Sequence, residues 1–345
     1  MYRTLCRAGA RSGLFSLLAH RNRTGVAILM YHGLREVDSP SDLTEHRRMH
    51  VLAAEFRRQM MVLRRERYAV TSLSAAVEGL AGHRSLPPRT VVVTFDDGYQ
   101  STYTHAWPIC QELDIPVMVY VVTDFIEHGT ALWTSRLEMA LRATRRHDLA
   151  IVIEDVPLHL ALATQVDRDG ALLTLLARLK AVPAARLAGY VAAIEERLDV
   201  SAGQPVDPAH LPCTWAMLRE MAATGGAEIG AHTVTHSILT RLDPQEATHE
   251  VETAMRAVSE RVGVPCRHFA YPNGKPGDFD PQCVRIVRAA GLVSATTTVE
   301  GTNRIGDDPF TLRRFGIYGH YRTPEFLGMI TGFHAALAKL LGRSG

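Results

Sequence analysis

The chain has 345 residues, 46% of them hydrophobic, and its 38 basic residues against 36 acidic ones leave a net charge of +2. This length and composition can fill a large core, either in one barrel-sized domain with an insertion or in two domains. The small net charge gives no basis for a nucleic-acid-binding surface, so no nucleic-acid partner is expected.

The N-terminal residues and the cysteines bear on where the protein is located. Leu14 to Ala19 is a short apolar stretch that no small-residue cleavage site follows, so a signal peptide is not expected. No apolar run approaches the roughly 20 residues that span a bilayer. Five dispersed cysteines without a CxxC pair favour a reducing compartment. We expect a cytoplasmic protein, with peripheral contact of the Arg-rich residues 1–23 with the inner membrane as an open alternative.

Predicted strands and helices alternate along residues 24–345, which we predict to form one domain. Short apolar runs predict buried strands, and apolar residues at helical spacing predict the helices between them. In chain order the predicted elements are strand Val26 to Tyr31, a helix through Phe56, Met60 and Leu63, strand Val91 to Phe95, a helix ending near Glu112, strand Val117 to Val122, a helix through Trp215, Leu218 and Met221, strand Ala227 to Ala231, a helix from Pro244 to Val262, strand Cys266 to Tyr271, helix Pro281 to Ala290 and strand Leu292 to Thr297.

The helix after Asp243 has the clearest start signal. Asp243 is placed to cap it, Pro244 takes the first helical position and Glu246 completes a capping box. Alternating parallel strands and helices indicate an α/β fold, either a barrel or a doubly wound sheet.

The alternation is interrupted between about residues 125 and 212. Helical stretches rich in Ala, Leu and Arg lie around Trp133 to Thr144 and Ala171 to Leu198, with a hairpin pattern at Leu149 to Leu162. We interpret this part as a mostly helical insertion, either a cap that covers the barrel or a wall that contacts substrate.

Asp96 and Asp97 directly follow the predicted strand Val91 to Phe95, at the end where α/β folds gather their active sites. Asp-Asp-Gly is also ordinary turn chemistry, so the pair alone is ambiguous. His232 and His236 lie four residues apart just after another predicted strand, on one face if this stretch is a helical turn.

One carboxylate and two histidines would bind a divalent metal ion and leave positions open for water and substrate. Of two adjacent acids, one can bind the metal while the other takes a proton from a water that the cation activates. The sequence therefore predicts a hydrolytic metal centre.

Three motifs in this order resemble one known family. Strand–TFDDGY at Thr94 to Tyr99, GAHTVTH at Gly230 to His236 and RHFAYPNG at Arg267 to Gly274 are similar to those of the polysaccharide deacetylases with a NodB homology domain, carbohydrate esterase family 4. The likeness extends to Tyr31-His32 and covers most of residues 24–320 apart from the insertion. It implies a distorted (β/α) barrel, and a bacterial enzyme that removes N-acetyl groups from amino sugars of a polysaccharide or lipid-linked glycan.

The resemblance also implies roles for individual residues. Asp96 would be the general base, and Asp97, His232 and His236 would bind one divalent ion, for which zinc is the expected choice. Arg267 would hold Asp96 ionised, and the backbone N–H of Tyr271 would stabilise the oxyanion.

Two histidines compete for the role of the acid that protonates the leaving amine. His320 lies at about the family's distance along the chain but lacks the Leu of its Leu-x-His motif, whereas His32 follows the first strand. Two other functions stay open, an amidase of the same fold acting on a small non-sugar amide and a non-catalytic glycan-binding relative. The oligomeric state is left open.

Overall fold

The computed structural model describes residues 4–6, 15, 25–39, 42–200 and 207–333. Its strands are β1 Val26–Tyr31, β2 Leu34–Arg35, β3 Val51–Leu52, β4 Ala69–Val70, β5 Thr90–Phe95, β6 Val117–Val121, β7 Asp148–Ile153, β8 Val156–Ala161, β9 Ala227–Ala231, β10 His268–Ala270, β11 Ser294–Thr296 and β12 Phe315–Gly316. Its α-helices are α1 Thr44–Met49, α2 Ala53–Arg65, α3 Leu73–Leu80, α4 Trp107–Glu112, α5 Thr123–His128, α6 Trp133–Ala143, α7 Gln165–Leu179, α8 Ala184–Arg197, α9 Trp215–Ala223, α10 Pro244–Val262, α11 Pro281–Ala289 and α12 Thr323–Ile330.

The main sheet is parallel and runs in the order β11-β10-β9-β6-β5-β1-β12, with β4 beside the start of β5. Its two ends approach each other, because Thr296 of β11 forms a parallel bridge with Leu312, three residues before β12. The Thr297 N–H also donates to the Leu312 carbonyl at 2.8 Å. The sheet therefore curls into a distorted (β/α) barrel, which confirms the predicted fold and decides against the doubly wound sheet.

The two faces of the curled sheet bury different residues. Along β1, Ala27, Leu29 and Tyr31 join the core that packs under the covering helices, whereas Val26 and Ile28 face the other way. Residues on this second face line the barrel interior, and they are Val26, Ile28, Val92, Met118, Tyr120, Ala270 and Leu312. Burial of both faces explains why these strands are continuous apolar runs.

The predicted strands and helices of the barrel are confirmed, with shifted ends. β10 and β11 have three residues each, shorter than predicted. Asp243 caps α10 as expected, accepting hydrogen bonds from the N–H groups of Gln245 and Glu246 at 2.8 Å. Helix α3, which contributes Leu73 and Leu80 to the barrel core, was not predicted.

The stretch between the barrel halves contains α6, the antiparallel hairpin β7–β8, α7 and α8, as the composition predicted. These elements share a hydrophobic core of their own that includes Leu137, Leu175 and Ile194. On α1 of the barrel, the N–H and hydroxyl of Thr44 both donate to Asp169 of α7, at 2.6 and 2.8 Å. The insertion's bounds of 125–212 stay a prediction.

The predicted N-terminal segment, residues 1–23, lies outside the described residues apart from residues 4–6 and 15. Within the described part of the chain, every helix is too short or too polar to cross a membrane.

A substitution at Gly230 can test the close packing around β9. A Cβ at this position would lie 2.7 Å from the His268 carbonyl and 2.8 Å from the Tyr120 ring. We expect Gly230→Ala to lower the free energy of unfolding by about 1–3 kcal/mol through overpacking. Gly189→Ala is the matched control, because a Cβ there meets nothing within 4 Å and should stabilise α8 by about 0.5–1 kcal/mol. Urea unfolding measures both, and equal effects would contradict the packing argument.

Candidate metal centre

The site lies at the carboxyl ends of β1, β5 and β9, where parallel strands bring their last residues to one rim. His32 follows β1, Asp96 and Asp97 follow β5, and His232 and His236 follow β9, and all five line one cavity of about 180 Å³. Asp96 and Asp97 are 2% and 5% exposed, so both carboxylates lie outside bulk water.

Asp97, His232 and His236 have the spacing of ligands around one ion. The Asp97 Oδ1 lies 3.5 Å from His232 Nε2 and 3.4 Å from His236 Nε2. These distances are long for hydrogen bonds. They match the separation of about 3.3 Å expected between tetrahedral ligands that each lie about 2.0–2.1 Å from zinc.

A neighbouring carbonyl fixes the orientation of the His232 ring. The His232 Nδ1 lies 2.7 Å from the Ala270 carbonyl, which can only accept, so Nδ1 carries the proton. The lone pair is then on Nε2, which faces Asp97. This is the arrangement that holds a metal-binding histidine in the correct tautomer.

The charges of the site favour a cation. Burial, together with the nearby Asp96 carboxylate, raises the pKa of Asp97 to about 8. The Asp97 Oδ1 has no hydrogen-bond partner among the described residues. Burial also holds the pKa of His236 well below its ordinary value and lowers that of His232, so both imidazoles are neutral at pH 7. One carboxylate oxygen and two neutral imidazoles fit a divalent ion.

The loop between His232 and His236 is held in an uncommon backbone conformation. Thr233 and His236 have φ of 65° and 62°, and a β-branched residue rarely adopts this region. Glu250 of α10 stabilises the loop by accepting hydrogen bonds from the N–H groups of Val234 at 2.7 Å and Thr235 at 3.0 Å. The stretch is therefore not a helical turn, and a strained loop brings the two imidazoles together instead.

A buried ion pair holds Asp96. The Arg314 Nη1 and Nη2 lie 2.6 and 2.7 Å from the two Asp96 carboxylate oxygens, and its Nε donates to the Thr297 carbonyl at 2.8 Å. Burial raises the pKa of Asp96, but Arg314, His232 and the hydrogen bond from Arg314 outweigh it and lower the pKa to about 2. Asp96 is therefore anionic, whereas its neighbour Asp97 needs a cation to become so.

Two predicted roles need correction. Arg267 is exposed at the amino end of β10, and the guanidinium paired with Asp96 is that of Arg314. The Tyr271 N–H donates to the Thr296 carbonyl at 3.1 Å, so a bond between β10 and β11 uses the donor predicted for the oxyanion.

The two candidate acids lie in different places. His32 lines the cavity, and its electrostatic partners include Asp96 and His232. His320 is exposed, stacks on Tyr318 with 6.0 Å between ring centroids, and is not among the residues that line the cavity. The structure thus places His32 at the site. His320, the other candidate acid, lies outside the cavity.

Arg314 was missed although the sequence carried a signal. Leu312, Arg314 and Gly316 alternate with Arg313 and Phe315, and a strand puts such alternating residues on one face. Leu312 lines the barrel interior, so Arg314 points inward with it. Glu250, which holds the histidine loop, had no comparable signal because it lies within an otherwise regular helix.

Comparisons with known proteins bear on the family and the fold. The polysaccharide deacetylase family model matches residues 83–295, more than half of the chain. A poly-beta-1,6-N-acetyl-D-glucosamine N-deacetylase from Escherichia coli K12 is 32% identical over 114 residues, which cover 32% of this chain and 16% of that protein. The chain thus matches only a small part of this relative.

Two solved structures share the fold. The Streptococcus pyogenes deacetylase PplD, determined in complex with acetate, aligns with a TM-score of 0.59 and 19% identity over 88% of this chain and 97% of its own. IcaB from Ammonifex degensii aligns with a TM-score of 0.56 and 20% identity over 90% of this chain and 97% of its own.

Removing the Arg314 guanidinium tests the ion pair. We expect Arg314→Gln to lower the free energy of unfolding by about 3–5 kcal/mol, because it leaves a buried carboxylate unpaired. Arg267→Gln is the control and should change stability by less than about 0.5 kcal/mol, because its side chain is exposed. Urea unfolding at pH 7 measures both, and a larger loss for Arg267→Gln would reverse the assignment.

Proton release on metal binding tests whether the Asp97 carboxyl is protonated in the metal-free protein. With a pKa of about 8, the metal-free carboxyl is protonated at pH 7, so an ion that binds there displaces about one proton. Affinity should fall about tenfold per pH unit below pH 8 and level off above it. Calorimetry of zinc binding in buffers of different ionisation enthalpy measures the release. If the Asp97→Asn protein releases as many protons as the wild type, Asp97 is not the group that titrates.

Proposed function

Because this chain belongs to the polysaccharide deacetylase family, we propose that it hydrolyses N-acetyl groups of amino sugars in a polysaccharide or a lipid-linked glycan. One observation carries the proposal: Asp97, His232 and His236 can hold an ion in the same cavity as an anionic Asp96. When bound, zinc would polarise the amide carbonyl and lower the pKa of the attacking water.

Asp96 is the proposed general base. Arg314 keeps its carboxylate ionised and fixed in orientation, so it is ready to accept a proton from the attacking water. With a pKa of about 2 the carboxylate is a weak base, so it depends on a bound cation to make the attacking water more acidic. The same pair prevents Asp96 from turning towards the ion as a competing ligand.

His32 is the proposed acid for the leaving amine. Burial lowers its pKa to about 4, while the Asp96 carboxylate acts in the opposite direction, so the imidazole is neutral before the reaction. It can then take over from Asp96 the proton that the water released and donate it to the departing nitrogen. The water's hydroxyl bonds to the acetyl carbon, the C–N bond breaks and the proton leaves with the amine, so the step balances.

The cavity can hold the acetylated end of one glycan residue. Its volume of about 180 Å³ is below the roughly 300–1,000 Å³ of sites that enclose a drug-sized ligand, so it suits an acetamido group and part of its ring, and a small amide would also fit. The insertion forms one wall with Trp133, Leu172 and Lys180, which supports the substrate-contacting interpretation. The name of the Escherichia coli relative supports an exopolysaccharide substrate.

Acetate release tests the catalytic assignments. We expect Asp96→Asn to lower kcat by about 10²–10⁴-fold, because the amide cannot accept the proton. His32→Gln should also lower kcat, whereas the exposed His320→Gln should stay near the wild-type value. The assay measures acetate from N-acetylglucosamine oligomers with zinc-loaded protein. Full activity of Asp96→Asn would remove Asp96 from the mechanism.

Substrate length separates the glycan proposal from its rivals. We expect kcat/KM to rise from the N-acetylglucosamine monomer to oligomers, since most of a glycan would lie outside the cavity and contact its rim. Turnover of small non-sugar amides alone would favour the amidase. Binding of oligomers without acetate release would favour the non-catalytic relative.

A further inference from the structure

A second cluster of buried histidines lies on another wall of the same cavity. His46 is in α1, His50 directly follows that helix, and His210 ends a short 3₁₀ helix at Pro208–His210. One ligand atom from each lies within 4.8 Å of the others. Glu138 of α6 adjoins them, with its Oε1 3.4 Å from His46 Nδ1 and its Oε2 3.7 Å from His210 Nε2.

We propose that His46, His50, His210 and Glu138 bind a second divalent ion, of the zinc class, that fastens the insertion to the barrel. This site is separate from the centre at Asp97, and the proposal does not depend on the deacetylase activity.

Unpartnered polar atoms are the first argument for this second site. Within the described residues, His46 Nδ1, His50 Nδ1, both ring nitrogens of His210 and Glu138 Oε1 are buried without a hydrogen-bond partner. His46, His50 and His210 are 3%, 2% and 1% exposed, so bulk water does not satisfy them. Native proteins rarely leave several such atoms together, and one ion would bind one ring nitrogen of each histidine and a Glu138 oxygen.

The donor set is the second argument. The three imidazoles form the ligand group, and the Glu138 carboxylate beside His46 and His210 would complete four ligands, one more than the set at Asp97 provides. The 3.4 and 3.7 Å separations are too long for hydrogen bonds and close to the spacing of ligands that share an ion. Burial also lowers the pKa values of His50 and His210, so these imidazoles are in the neutral form that binds metal.

The Arg142 guanidinium lies near Glu138 and could compete with a metal ion for its carboxylate, but it also contacts two other carboxylates. Arg142 Nη1 lies 3.9 Å from Glu138 Oε1, yet it lies 3.0 Å from Asp207 Oδ2, and Nη2 lies 3.7 Å from Asp42 Oδ1. Of these three contacts of Arg142, the one with Asp207 is the shortest. The Glu138 carboxylate therefore remains able to bind a second partner.

The positions of the ligands define what the ion would do. His46 and His50 precede α2 of the barrel, Glu138 lies on the first long helix of the insertion, and His210 lies where the chain returns to the barrel. One ion would therefore join both ends of the insertion to the barrel. Tyr99, two residues after Asp97, packs against His50 with 5.0 Å between ring centroids, so this joint adjoins the catalytic loop.

Metal stoichiometry of the full chain tests the proposal. We expect two zinc ions per wild-type chain and one in Asp97→Asn/His236→Gln, which lacks the first centre. Adding His50→Gln to that variant should leave none, and adding Glu138→Gln should weaken the remaining ion at least tenfold. His159→Gln, an exposed histidine of the insertion, is the matched control and should change neither number.

Cobalt provides a readout that does not depend on activity. In Asp97→Asn/His236→Gln, we expect visible absorption from tetrahedral Co²⁺, which disappears with His50→Gln, and a melting temperature that a chelator lowers. Circular dichroism would show whether the variants are folded. If His50→Gln does not fold, Glu138→Gln provides the same test of the second site. A folded Asp97→Asn/His236→Gln protein that binds no ion would overturn the proposal, as would one whose ion is unaffected by both cluster substitutions.

Discussion

The buried ion pair between Asp96 and Arg314 is the interaction on which the catalytic centre depends. Two adjacent buried carboxylates repel each other, and without compensation both would favour the protonated form. Arg314 forms two hydrogen bonds to the Asp96 carboxylate oxygens, whereas its attraction for Asp97 is outweighed by burial and by the charge of Asp96. The charge on Asp97 is left for a metal ion to compensate. One guanidinium thus gives two identical side chains different roles, with opposite pKa shifts.

The ion pair in turn depends on the order of the strands. Asp96 directly follows β5 and Arg314 directly precedes β12, with only β1 between them, so their backbones are separated by two strand spacings, about 9–10 Å. A long arginine side chain spans this distance when it lies on the same face as the carboxylate. Arg314 also donates to the Thr94 hydroxyl, and Leu312 lines the barrel interior, so that shared face is the interior one. The strand order therefore sets the charge state of the base.

The sequence predicted the parts of the molecule that local pattern determines. Strands such as Val26–Tyr31 are continuous apolar runs because both faces are buried, and the residues that follow them in three motifs pointed to Asp97, His232 and His236. The partner of Asp96 could not be predicted from local pattern, because Arg314 is 218 residues away along the chain and meets it only once β5, β1 and β12 lie side by side in the sheet. The hydrogen bond of the Tyr271 N–H could not be predicted from the sequence either, since it depends on how β10 pairs with β11.

The second histidine cluster shows why spacing alone is a weak signal. His46 and His50 have the same separation in sequence as His232 and His236, yet one pair lies at the end of a helix and the other in a strained loop. Burial with unpartnered nitrogens is what the clusters share, and only three-dimensional structure reveals it. The insertion supplies a reason for a second ion. An apolar cluster of Tyr99, Val122, Phe125 and Leu132 joins the start of the insertion to the barrel. The wall formed by His46, His50, His210 and Glu138 is polar instead. Polar groups in a buried wall need directional bonds to hold their positions, and metal coordination by these four residues would provide them.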